Sequence, residues 1–218
     1  MPQLFSRWTN TAARAGLLTL VLAPFLTIGV LAALPFTPYV TGQHRFVDQP
    51  VPFSHEHHVG GLGLHCLYCH TGVTRSPYAG LPPTHTCMTC HSQLWTNAEV
   101  LAPVRESLAR GQPIAWQRVN ILPGYVYFDH SIHVAKGVGC STCHGAVDRM
   151  PLTVQAAPLT MGWCLDCHRN PAPNLRPDSE IFNTEYRVPE DQDRLASELL
   201  RQYHIRTDHL TDCSICHR

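Results

Sequence analysis

The sequence predicts a mostly irregular chain of short α-helices behind one amino-terminal membrane-crossing helix, with little room for an ordinary side-chain core. Three observations predict it. The 218 residues include 18 prolines and 14 glycines, which interrupt the chain too often for long regular elements. The amino end carries a long uncharged apolar run. The 10 cysteines fall into five identical frames, in company with 15 histidines.

The apolar run comes first along the chain. No acidic or basic residue stands between Ala15 and Gln43, and Gly16 to Phe36 is almost wholly apolar. About 20 such residues span a bilayer as a helix. Pro24 lies inside the run, which membrane helices tolerate. Arg7 and Arg14 precede it and hold the amino terminus in the cytoplasm by the positive-inside rule, so the rest of the chain is expected on the outer, periplasmic face of the cell membrane. A cleaved leader ending near Val30-Leu31-Ala32 is the rival, but the run exceeds the usual leader core of about 7–15 residues, so a retained single-pass anchor is expected. Residues 1–43 are thus read as cytoplasmic tip and anchor, and 44–218 as the extracytoplasmic domain. With 16 basic and 16 acidic residues there is no basic footprint for nucleic acid.

The cysteine frames are Cys66–His70, Cys87–His91, Cys140–His144, Cys164–His168 and Cys213–His217, each C-x-x-C-H, with no cysteine left over. This is the attachment sequence of c-type haem. Two thiols add across the two vinyl groups of one porphyrin, and the following histidine reaches the iron. The ten thiols Cys66, Cys69, Cys87, Cys90, Cys140, Cys143, Cys164, Cys167, Cys213 and Cys216 are therefore read as haem-binding, with His70, His91, His144, His168 and His217 as proximal ligands. A disulfide scaffold does not require histidine after every pair. Zinc ribbons take two pairs per site and would leave one of five unmatched, and iron–sulfur clusters use other spacings. Five haems in about 175 residues must supply much of the buried apolar surface, giving a haem-filled core.

An internal repeat organises the outer domain. Phe53-Ser-His55-Glu-His57-His58-Val59 precedes the first two frames, and Phe128-Asp-His130-Ser-Ile-His133-Val134 precedes the third and fourth. Each unit is F-x-H-x-x-H-V followed by two attachment frames, over about residues 53–91 and 128–168, with a terminal haem region at about 204–218. A haem iron ligated on both faces needs a second donor, and His55, His58, His130 and His133 balance four of the five. At i and i+3 on a helical turn, two imidazoles point the same general way and can serve neighbouring irons. His57 is expected on the exposed side, and His44, His65, His85, His204 and His209 at the surface. Helices are expected at about Asn97–Arg110, interrupted near Pro103, and from near Pro189, with Leu195, Leu199 and Tyr203 facing a haem or a partner.

The F-x-H-x-x-H element ahead of an attachment frame resembles the small multihaem cytochromes of the c3 and c7 type. That resemblance implies that His55 pairs with His70 and His130 with His144, and leaves the partners of His58 and His133 open. Trp116–His130, Pro158–Cys164 and Leu210–Cys213 resemble the pentahaem c-type cytochrome of bacterial alternative complex III. Members of that family often carry His where this chain has Asn120 and Asp where it has Gly124, so any role of that His is absent here. The resemblance implies a relay, an electron-transfer subunit without chemistry of its own. Quinol would be oxidised in separate integral membrane subunits, beside an iron–sulfur subunit, and electrons would leave to a small cytochrome c or an oxidase. An anchored tetrahaem-type quinol dehydrogenase donating to periplasmic reductases is the alternative. A nitrite- or hydroxylamine-type catalyst would need an open iron and often an altered frame.

The frames imply five covalent haems, and a pyridine haemochrome assay finding three or fewer on matured protein would contradict this. Four distal histidines leave one iron short, and Met150 or Met161 is the expected thioether ligand, with His204 and His209 the competing donors. Oxidised protein should then show a near-infrared iron–methionine charge-transfer band. Its absence, or its survival when both methionines are replaced, would refute the assignment.

Overall fold

The computed structural model describes residues 5–217. The chain divides into two compact units, Met1–Gly42 and Gln43–Arg218.

In the first unit, helix α1 runs over Arg7–Ala33 and includes Pro24. Its 27 residues amount to about 40 Å at 1.5 Å per residue, more than a bilayer core needs. The stretch Trp8–Phe36 has a mean hydropathy of 2.5 and none of its most apolar window is buried. A helix apolar all round with no protein covering it is long and apolar enough to cross a membrane. A 3-10 turn at Leu34–Phe36 and a helical turn at Pro38–Thr41 follow, both opening on proline in the first turn, and Gly42 stops the chain in the left-handed region at φ 76°.

The second unit is built from short helices and loops, with no strand among the described residues and only the isolated bridges Phe46–Val154 and Val138–Leu175. The longer helices are α2 (Thr84–His91), α3 (Ala102–Arg110), α4 (His130–Ala135), α5 (Met161–Arg169) and α6 (Gln192–Gln202). Helical single turns form at Cys66–Cys69, Cys140–His144 and Cys213–Cys216. Every attachment frame therefore lies on helical backbone, which brings its two thiols to one side, as i and i+3 residues.

The two repeat units start alike. Ser54 and Asp129, between the phenylalanine and the first histidine, accept from backbone N–H groups of the following turn: His57 N to Ser54 Oγ at 3.1 Å, and Ser131 N to Asp129 Oδ1 at 2.8 Å. They then diverge. His58 precedes Cys66 by eight residues and His133 precedes Cys140 by seven. The extra residue is taken up by a π-helical turn at Glu56–Gly61 where the second unit has the regular α4.

Side-chain cores are small. Val51, Leu101 and Val104 cluster with Cys87, Met88, Ile114 and Trp116 around α2 and α3. Leu175, Leu199 and Tyr203 cluster with Val138, Leu195, Leu200 and Ile205 around α6. The face Leu195–Leu199–Tyr203 closes a side-chain core with Leu175 and Val138. Pro103 opens α3 instead of interrupting a longer helix, since a first-turn proline has no N–H to lose. Pro189 lies two residues ahead of the Asp191 cap, and its carbonyl accepts from Gln192 N.

Leu175 is 1% exposed. Leu175→Ala should therefore cost about 2–5 kcal/mol, read as the midpoint shift in chemical denaturation of the mature protein. A loss below about 0.5 kcal/mol, the level of a surface substitution, would show that this cluster contributes little.

Candidate functional site

Each F-x-H-x-x-H element is a three-ring assembly. Phe53 meets His55 edge-on (4.9 Å between centroids, 87°) and stacks on His58 (4.4 Å, 24°). Phe128 repeats this with His130 (4.8 Å, 90°) and His133 (4.4 Å, 28°). One phenyl ring thus fixes two imidazoles at once, which explains the phenylalanine in the repeat.

Each of these imidazoles faces the histidine of one attachment frame. The centroid separations are 6.4 Å for His55–His70, 6.2 Å for His58–His91, 6.3 Å for His130–His144 and 6.1 Å for His133–His168. With about 2 Å from nitrogen to metal on each side and about 1 Å from nitrogen to ring centre, two imidazoles on one metal stand roughly 6 Å apart. The first and third pairs are nearly parallel, at 9° and 6°, while the second and fourth are turned by 62° and 40°.

The Nδ1 atoms are already engaged. Those of His58, His70, His130, His133 and His168 donate to the carbonyls of Ser54, Gly80, Pro77, Asp129 and Leu210 at 2.7–2.8 Å. His91 and His217 donate to Leu94 O and Tyr125 O, both at 3.2 Å. His55 Nδ1 lies 2.9 Å from Thr153 Oγ1. A carbonyl can only accept, so these bonds put the proton on Nδ1 and leave the Nε2 lone pair for a metal. Three of the rings, those of His55, His144 and His133, are also kept neutral. His55 is held down at about 4, by burial first and then by His70, His58 and His144, and His144 is held at about 4 by burial, His130 and His70. Burial likewise lowers His133.

The thiols come together across frames. Cys66 and Cys140 share a hydrogen bond that pulls Cys66 down to about 7 and pushes Cys140 up. Cys69 is raised by burial and then by Cys87. Cys143 is pushed up to about 11 by burial and by Cys167 and Cys164, and Cys164 is raised by burial and then by Cys216. The first and third frames are thus neighbours, the second lies beside the first, the fourth beside the third, and the fifth beside the fourth. Two reciprocal contacts join the repeat units. His55 bonds Thr153 beyond the third frame, and His130 bonds Pro77 beyond the first.

The donor set suits covalent haem: paired thiols, an imidazole following each pair, and a second imidazole facing it at 6.1–6.4 Å in four sites. The scarcity of buried apolar side chains, ten among the described residues, fits a core completed by porphyrin. His57 is exposed and stacks on Trp95 at 5.7 Å, and His44, His65, His85, His204 and His209 are exposed too. Met150 turns its methyl toward Gly145, 3.4 Å from where a Cβ would stand, beside His144, which already faces His130. Met161 is 64% exposed on the first turn of α5, one turn before Cys164. Asn120, where the resembled family often has His, keeps a buried carboxamide oxygen without a partner among the described residues. Sequence reasoning missed Thr153 and the roles of Phe53 and Phe128. Thr153 carries no motif, whereas the phenylalanines were visible in the repeat.

The thiol and imidazole donors suit a multihaem c-type cytochrome, and the comparisons bear on that reading. No family profile matches the chain. The multihaem cytochrome c subunit of a menaquinone reductase from Nitratidesulfovibrio vulgaris strain Hildenborough is 33% identical over 130 residues, covering 58% of this chain and 60% of that relative. This likeness supports a multihaem cytochrome acting in electron transfer, and it does not single out alternative complex III.

Proposed function

We propose that the chain is a membrane-anchored pentahaem cytochrome c relaying electrons between a quinone-converting membrane partner and an external redox partner. The observation that carries this is the fourfold recurrence of facing imidazoles at 6.1–6.4 Å. Bound haem supplies one-electron chemistry, and its potential follows axial ligand, burial and hydrogen bonding. The chain's own residues supply the spacing. In this reading His55 and His70 serve the first site, His58 and His91 the second, His130 and His144 the third, and His133 and His168 the fourth. His217 serves the fifth, for which Met161, exposed on the turn before Cys164, would be the thioether donor rather than Met150 beside His144.

The thiol neighbourhoods support a linear order of sites: second, first, third, fourth, fifth. Two further contacts support its ends. Tyr68 Oη and Thr89 Oγ1 join the first and second frames at 2.8 Å, and His168 Nδ1 reaches Leu210 O, just ahead of the fifth. The reciprocal contacts of His55 and His130 support a central position for the first and third sites.

The narrower reading is a component of an alternative complex III-type assembly. Its partners would be quinol-oxidising membrane subunits and an iron–sulfur subunit, with a small cytochrome c or oxidase as acceptor. The support is the three sequence stretches that resemble that family's pentahaem cytochrome. The name of the relative adds menaquinone reduction, the opposite direction along the same relay. In both readings α1 anchors the chain, with the haem domain outside the cytoplasm.

Low-temperature EPR of the oxidised protein tests the site assignment. The angle between axial imidazole planes sets the splitting of the ferric d orbitals. Two rhombic low-spin signals are expected from the near-parallel first and third sites, with a more anisotropic signal from the second. Four indistinguishable signals, or carbon monoxide binding by most of the reduced haems, would refute it. Detergent purification from native membranes should recover the chain with multi-span partners whose quinol reduces it, and recovery of the full-length chain alone would refute the relay assignment.

A further inference from the structure

The repeat gives the two central sites nearly the same ligands, so what distinguishes them must lie outside the repeat. The segment from Leu175 to Asn183 wraps the third frame: Arg176 N donates to Gly137 O at 2.9 Å, and Cys140 N donates to Ile181 O at 3.0 Å. Arg176 is 8% exposed. Its guanidinium lies against the backbone of Gly139, where any Cβ would overlap it, immediately before Cys140. Nη2 donates to Ser141 Oγ at 2.8 Å and Thr142 Oγ1 at 3.4 Å, the two residues between the thiols of that frame. Nη1 donates to Asn183 O at 3.0 Å, and the Tyr186 ring lies 4.8 Å from Cζ.

All of these partners are neutral, and no carboxylate lies within ion-pair distance of Arg176 among the described residues. The charge is therefore buried without a direct ion pair, Glu180 of the same segment acting on it only from beyond that distance, and arginine keeps its proton in such a place. The first frame has no counterpart. Its preceding residue, His65, is exposed and meets Phe182 instead, at 5.0 Å. A fixed cation stabilises the electron-rich state of a nearby redox centre. At an effective dielectric of about 20 and a separation on the order of 10 Å, one unit charge shifts an equilibrium by roughly tenfold.

Resting on the haem assignment above, we infer that Arg176 sets the potentials of the two central haems apart by holding the third above the first. It acts as a positioning charge and touches no ligand. The order of sites then makes the step between the first and third frames directional, because the matching ligand sets alone would leave it nearly level.

The experiment is a potentiometric EPR titration of the pentahaem protein, following the two rhombic signals. In Arg176→Gln, one of them should titrate lower by at least a tenfold change in its reduced-to-oxidised ratio, about 59 mV for one electron, bringing the pair closer together. Arg176→Lys, which keeps the charge but not the fork of hydrogen bonds, should leave the separation near that of the natural protein. Arg176→Met is a second neutral variant whose apolar arm still packs on Gly139 and Tyr186, and it should behave like Arg176→Gln. Equal loss of separation in Arg176→Lys would show that hydrogen bonding rather than charge is responsible and would overturn the inference. An unmoved pair in the neutral variants, or failure of both to mature as pentahaem protein, overturns it as well. Haem content and the rhombic pair of the unaltered protein are measured alongside. Fewer than five haems, or no such pair, would count against the haem assignment itself rather than against Arg176.

Discussion

Everything in the second unit is subordinate to one geometric arrangement: four pairs of imidazoles face each other at 6.1–6.4 Å between ring centroids. An apolar core normally forbids such a gap, because packing closes any void larger than a water molecule. Here the gaps are held by bonds on the far side of each ring. Backbone carbonyls take the Nδ1 protons of six of the eight facing histidines, and a phenyl ring braces each distal pair. Side chains pack on one another in small clusters around Leu101 and Leu175.

That arrangement was partly legible in the sequence. The ten thiols and five proximal histidines announce themselves by spacing, and the repeat exposes four more histidines. The pairing of His58 with His91 and His133 with His168 was not legible, because it depends on how a turn projects two side chains toward different frames. Thr153 and Arg176 were hidden for another reason. Each acts on a residue far away in the chain, His55 at a separation of 98 and Ser141 at 35, and neither sits in a repeated pattern. The helix near Pro103 is shorter than its pattern suggests, because a proline inside an apparent helical pattern and a proline opening a shorter helix look alike in sequence.

The repeat also shows how duplicated parts come to differ. One added residue in the first unit was absorbed as a π turn rather than expelled as a loop, so the phenylalanine–histidine assembly survived intact. The second unit kept the regular helix, and a later stretch of chain placed a cation against its frame alone. Similar ligand geometry in dissimilar surroundings is an economical route to redox centres of graded potential, since the surroundings change while the coordination is conserved.

The exchange of contacts between His55 and Thr153, and between His130 and Pro77, has a temporal side. A chain made from its amino end presents the first two cysteine frames well before Thr153 has been synthesised. Until then His55 lacks its Thr153 partner, while its turn is already closed by the Ser54 bonds to His57 and His58 and by the Phe53 ring. Only when the second half arrives do both halves lock, each completing the other, and the delay is written into the order of the residues.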